Sequence, residues 1–208
     1  MIFNSLHFLI FLPVVIFLYY ALPYKWRWLM LLFASYYFYM CWKAEYAFLI
    51  VFSTTVDYYT ANKMSRLKDK KARLPYLMIS LISNLGLLFS FKYFNFFNDS
   101  ARAVFDQFNI FYNVPEFNLF LPVGISFYTF QALSYSIDVY RGDFKAEKNF
   151  GYFALFISYW PQLVAGPIER PGDLQPQLKQ NHDFDYERVK QGLIRILYGF
   201  FKKVVIAD

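Results

Sequence analysis

Apolar residues fill this chain in long stretches, and polar residues gather in the short gaps between them. A helix needs about 20 mostly apolar residues to cross the ~30 Å hydrocarbon layer of a bilayer. Several uncharged runs reach 17 or more residues, which predicts an all-α, polytopic transmembrane helix bundle. The first span is expected at Leu6–Leu22, closed by Pro23 and kinked by Pro13, since a proline inside a helix removes a backbone hydrogen bond. The second is expected at Trp26–Trp42, with Tyr and Trp crowding both ends as interfacial belts do. The third is expected at Ala44–Ala61 and the fourth at Leu74–Phe97, with Lys92 snorkelling near its outer end. A segment from Asn98 to Pro115, carrying Val104, Phe105, Phe108 and Phe111, is expected to lie on the outer membrane surface before a fifth span at Leu119–Tyr140.

The next apolar piece, Tyr152–Ala165, has 14 residues and contains Pro161, short of a full crossing. After it, apolar positions at Tyr186, Val189, Leu193, Ile196, Leu197, Phe200 and Val204 recur at helical spacing, with Asp183 or Asp185 as the N-cap. Arg188, Arg195 and Lys202 stripe another face, the pattern of an interfacial amphipathic helix or of a helix packed on the soluble side. The loop KMSRLKDKKAR, from Lys63 to Arg73, holds six cations against Asp69 and is placed in the cytoplasm by the positive-inside bias. Counting back through three spans puts the N-terminus outside and the turn bearing Lys25 and Arg27 inside. Keeping the basic terminal helix inside requires Tyr152–Ile168 to be re-entrant from the cytoplasmic face. No internal repeat divides the chain, so residues 1–208 are taken as a single transmembrane region. The terminal KKVVIAD stops in mid-pattern, which suggests a cut chain.

Composition sharpens this picture. The chain is 58% hydrophobic and 24% aromatic, against the 45–50% apolar content of ordinary soluble domains. The net charge of +6 is confined to connectors between apolar runs, which argues against a nucleic-acid partner and for membrane lipid. Cys41 is the sole cysteine, expected as a small core residue, so neither a disulfide framework nor a cysteine metal site is available. The first residues lack a basic flank and a cleavage site, and read as a retained helix.

Two stretches carry candidate chemistry. Gln131, Ser134, Asp138 and Arg141, spaced by three, four and three, share one helical face, and Asp138 can pair with Arg141. Polar groups at membrane depth line cavities or pair with one another, so this face is expected to wall a substrate passage or to bond neighbouring helices. The segment WPQLVAGPIERP breaks the backbone at Pro161 and Gly166, and broken backbone in lipid is tolerated only where it is buried or lines a cavity. Gln162, Gly166 and Arg170 are its candidate substrate-binding residues, with Arg170 free to meet an anionic donor, a lipid headgroup or Glu169. Asp57 is expected to sit at the interfacial end of its helix. His7 at the outer interface and His182 in solvent are poor catalytic bases. No Ser-His-Asp set, zinc motif or phosphate loop is present, so no catalytic and no metal residue is assigned.

In order and spacing, MIFNSLHFLIFLPVV, the VDYY around Asp57, LPVGISFYTFQALSYSIDVYRG, PQLVAGPIERP and GFFKKVVIAD resemble the membrane-bound O-acyltransferase (MBOAT) family. The resemblance is to the N-terminal half of the alginate O-acetyltransferase-like branch. It implies transfer of an acyl group, acetyl by branch, from a cytoplasmic donor (acyl-CoA or an acyl carrier) to a hydroxyl across the bacterial inner membrane. The acceptor implied is an extracytoplasmic polysaccharide, or a partner acetyltransferase outside. The family's essential histidine lies later than any residue here, so the 208-residue chain is expected to be inactive alone. The alternatives are a transporter or channel subunit and a non-catalytic membrane scaffold.

Overall fold

Each apolar run becomes a helix whose ends are set by local chemistry. The computed structural model describes residues 1, 3–108, 114–115, 122–164 and 166–207, and all regular structure among them is helical. Helix α1 (Leu6–Ala21) is capped by Ser5, whose Oγ accepts from the Phe8 N–H at 3.2 Å. Extended Pro23 separates it from α2 (Tyr24–Met40), and a 3-10 turn at Ala44–Tyr46 leads into α3 (Ala47–Arg66). Asp69 caps α4 (Lys70–Lys92) through the Lys71 N–H. Among the described residues α4 alone is long and apolar enough to cross a membrane, and α1 is a shorter apolar helix.

The fourth apolar run departs from expectation. Helix α4 ends at Lys92, where a cation complements the carbonyl end of a helix, and not at Phe97. The chain turns at Tyr93 into α5 (Phe94–Gln107), so the first part of the expected surface segment is helical, burying Asn98 and exposing Phe96, Phe97 and Val104. Phe111 and the expected start of the fifth span at Leu119 lie outside the described residues.

Helix α6 (Ile125–Arg141) is bracketed by Gly124 and Gly142, both with positive φ (77° and 90°). Gly124 is doubly constrained, because a Cβ there would lie 2.3 Å from the Leu163 carbonyl oxygen. The expected short apolar piece is broken in two: α7 (Phe150–Ser158) and α8 (Trp160–Leu163), split at Tyr159 with φ −55° and ψ 110°. Nine residues at ~1.5 Å rise leave α7 far short of the ~30 Å hydrocarbon layer. Helix α9 (Pro171–Lys179) and then α10 (Tyr186–Phe201), capped by Asp185, complete the chain, with a widened turn over Lys202–Ala207.

Helices α3, α4 and α6 pack on one another, and α7 lies against α2 and α3. Their core is built on Ile50, Met64, Tyr128, Tyr135, Phe153 and Phe156, all fully buried. A second core joins α1, α2 and α8, where Trp160 meets Phe11 edge to face at 5.4 Å and packs on Phe8 and Phe38. The Trp160 backbone N–H donates to Ser35 Oγ at 3.2 Å, which fixes the break after Tyr159 against α2. Large apolar side chains face outward on every long helix, among them Phe17, Phe33, Phe48 and Ile82. Cys41, expected in the core, is exposed instead, because α2 stops at Met40 and leaves it in the turn.

Candidate functional site

The polar face of α6 grades from buried to exposed. Gln131 is buried at 4% exposure and reaches α7, where its Nε2 donates to the Phe156 carbonyl at 2.7 Å. Ser134 and Asp138 are half-buried, and Arg141 is exposed. No ion pair between Asp138 and Arg141 exists among the described residues, since Arg141 ends the helix and turns outward. The Asp138 carbonyl instead closes the helix by accepting from Gly142 and Asp143.

The broken segment borders a cavity of about 620 Å³ between α1, α2, α8, α9 and α10. Its walls are apolar and aromatic, with Val15, Tyr19, Trp160 and Leu193 contributing, and Gln162, Glu169, His182 and Arg188 supply polar groups. Gln162 is half-buried, and its Oε1 is buried without a hydrogen-bond partner among the described residues, leaving an acceptor for a ligand N–H or O–H. Gly166 sets Gln162 in place: its N–H donates to the Gln162 carbonyl at 2.9 Å, and a Cβ on it would lie 2.5 Å from Gln162 Cα. Arg170 does not line the cavity; it is exposed at the start of α9 and forms no ion pair with Glu169 among the described residues.

Arg188, read from sequence only as part of a basic stripe, is the cation that the fold brings to the cavity, once α10 lies beside α1. His182, expected in solvent, is half-buried there, with Nε2 3.0 Å from the Gln177 carbonyl. The floor between α9 and α10 is held by Arg27, which donates to Asn181 Oδ1 at 3.0 Å and to the His182 carbonyl at 2.8 Å. Tyr24 Oη donates to the Lys179 carbonyl, and Lys179 pairs with Glu147 across the fold.

A second polar centre lies inside the α3–α4–α6 core. Asp57, expected at the interfacial end of its helix, lies nine residues before the end of α3 and is fully buried. Asn84 Nδ2 lies 2.9 Å from both of its carboxylate oxygens, and Ser80 Oγ donates to Oδ1 at 2.6 Å. Ser53 Oγ donates to Asn84 Oδ1 at 2.6 Å, and Ser136 on α6 lies 2.9 Å from Ser80 Oγ. The available signal was the i,i+4 pairing of Ser53 with Asp57 and of Ser80 with Asn84, which puts each pair on one helix face.

No family model matches the chain, and no solved structure does. Curated proteins do match. In an alignment spanning 212 positions and covering the whole chain, it is 39% identical to a probable alginate O-acetylase AlgI of Azotobacter vinelandii. The chain is a homologue of the alginate O-acetylases. Their Pseudomonas aeruginosa (strain PAO1) representative is likewise 39% identical over 211 residues, and a peptidoglycan O-acetyltransferase of Helicobacter pylori is 32% identical over 87% of this chain. The chain spans about two-fifths of the length of the alginate O-acetylases it matches, 42% and 40% of these two. The resemblance to the membrane-bound O-acyltransferases is borne out by these relatives.

Proposed function

We propose that this chain forms the tunnel-building part of an O-acetyltransferase that moves acetyl from a cytoplasmic donor to a hydroxyl of an extracytoplasmic polysaccharide. The names of its relatives support an acetyl group and a polysaccharide or peptidoglycan acceptor. The observation that carries the reading is the cavity: apolar walls suited to an acyl thioester arm, a buried unpaired acceptor on Gln162, and the Arg188 cation, a group suited to donor phosphates. In the transfer the acceptor hydroxyl oxygen bonds to the acetyl carbon, the carbon–sulfur bond breaks, and the hydroxyl proton passes to a base and on to the leaving thiolate. These residues supply binding and orientation; the base belongs, by resemblance, to a histidine outside this sequence. Gln131, Ser134, Asp138 and Arg141 do not line this cavity and form a separate polar face along α6, with Gln131 tying α6 to α7, and Arg170 guards the cytoplasmic approach.

The same proposal embeds the bundle in the bacterial inner membrane with the N-terminus outside and the α3–α4 loop in the cytoplasm. The α7–α8 piece then enters and leaves by the cytoplasmic face, and α10 lies at that interface. The outward apolar faces of α1 to α4 support lipid around the bundle. Membranes carrying the complete gene product are expected to transfer radiolabelled acetyl from a thioester donor to polysaccharide. Arg188→Glu is expected to cut this by about tenfold or more, one lost charge-assisted contact. Unchanged transfer in that variant, or transfer by the 208-residue chain alone, contradicts the reading.

A further inference from the structure

A second crevice, of about 950 Å³, opens between the last turns of α3 and the connector from α6 to α7. Lys63 and Arg66 line one wall, and Lys145 and Lys148 the other. No carboxylate lines it, and none of the four cations has an ion-pair partner among the described residues. Of the two acids on the connector, Asp143 does not line the crevice, and Glu147, between the two lysines in sequence, is committed to Lys179 and to the Asn149 N–H at 3.0 Å.

The arrangement is built. Asn62 Nδ2 donates to the Glu147 carbonyl at 3.0 Å, and Tyr58 Oη donates to the Lys148 carbonyl, so α3 grips the backbone that presents the two connector lysines. Tyr135 Oη accepts from the Glu147 N–H at 2.8 Å and anchors the same strand of chain to α6. Lys63 and Arg66 by themselves are accounted for by the carbonyl end of α3, which favours cations in its last turn. That argument does not reach Lys145 and Lys148, which come from a different element and are held facing the first pair. Four like charges around one concavity repel one another and focus a positive potential there, and an anion relieves both.

We propose that this crevice is a phosphate-binding site, taking the phosphodiester of an anionic phospholipid headgroup. The chemistry is shared with soluble phosphates, but exposed Phe48, Phe52 and Tyr59 run along α3 toward the crevice and mark an apolar path that an acyl chain would follow. The site is distinct from the donor cavity and stands whether or not the chain takes part in acetyl transfer.

The test uses the purified protein in a neutral detergent. Native mass spectrometry counts retained phosphatidylglycerol against phosphatidylcholine, and calorimetry follows inorganic pyrophosphate. The expected result is saturable retention of phosphatidylglycerol over phosphatidylcholine. Lys145→Gln with Lys148→Gln is expected to weaken it by about thirtyfold, the loss for two interfacial cations. Lys70→Gln with Lys71→Gln, equal in charge but outside the crevice, is expected to leave it unchanged. Pyrophosphate binding that is lost in the crevice variant, without lipid retention, keeps the phosphate site and reassigns its source to a soluble molecule. Binding of neither, or equal losses in the crevice and control variants, overturns the proposal.

Discussion

Asp57 shows how a single residue can carry more of the fold than its sequence position suggests. Its carboxylate accepts from Asn84 and Ser80 and pairs with no cation among the described residues, so hydrogen bonds are what hold it there. Asp57→Asn places an amide donor against the Asn84 amide, and Asp57→Ala strands Asn84 and Ser80. Each is expected to cost about 2–3 kcal/mol, the penalty for buried groups left unpaired. Thermal unfolding in detergent checks this against Asp138→Ala, whose half-buried site is expected to move stability by less than about 0.5 kcal/mol. Gly124 makes a second test. With φ at 77° and Leu163 O 2.3 Å from the missing Cβ, Gly124→Ala must shift backbone. It is expected to destabilise by more than about 1 kcal/mol, whereas Gly86→Ala, in open space on α4, is expected to be neutral or stabilising by up to ~1 kcal/mol.

At the scale of elements, the apolar periodicity made most helices legible. Five expected spans correspond to α1, α2, α3, α4 and α6, and the amphipathic terminal piece to α10 with Asp185 as its cap. The boundary after Lys92 and the exact split at Tyr159 were not legible, because each depends on how neighbouring backbone packs: Trp160 is held by Ser35, a partner 125 residues away in sequence. The positions of Arg188 and His182 were hidden for the same reason, since only the docking of α9 and α10 beside α1 brings them to one cavity. Gln162 and Gly166 were legible because proline and glycine in an apolar run announce a break. Topology is checked with cysteine labelling by a membrane-impermeant maleimide. Native Cys41 is exposed just past α2, and with the proposed topology it is expected to label from outside in intact cells. In a Cys41→Ala background, Asn181→Cys and Lys203→Cys are both expected to label only after permeabilisation; labelling of both from outside would refute the re-entrant arrangement of α7 and α8.

For the whole molecule, two cores divide the labour. The α3–α4–α6 core, tied through Asp57, forms one packed unit, and the aromatic core around Trp160 hangs the broken α7–α8 segment on α2 so that its polar groups meet α9 and α10. The space left between α1, α2, α8, α9 and α10 is the feature on which the proposed acetyl transfer depends. Gly192 offers a direct way to close it: this residue lines the cavity, and a Cβ added there meets nothing within 4 Å. Gly199, on the same helix and equally open, does not line it. The decisive measurement is acetyl transfer to polysaccharide by membranes carrying the complete gene product with Gly192→Phe or Gly199→Phe at matched protein levels. The account predicts that Gly192→Phe lowers transfer by about tenfold or more while Gly199→Phe retains it; equal activity in the two variants would contradict a donor bound in this cavity.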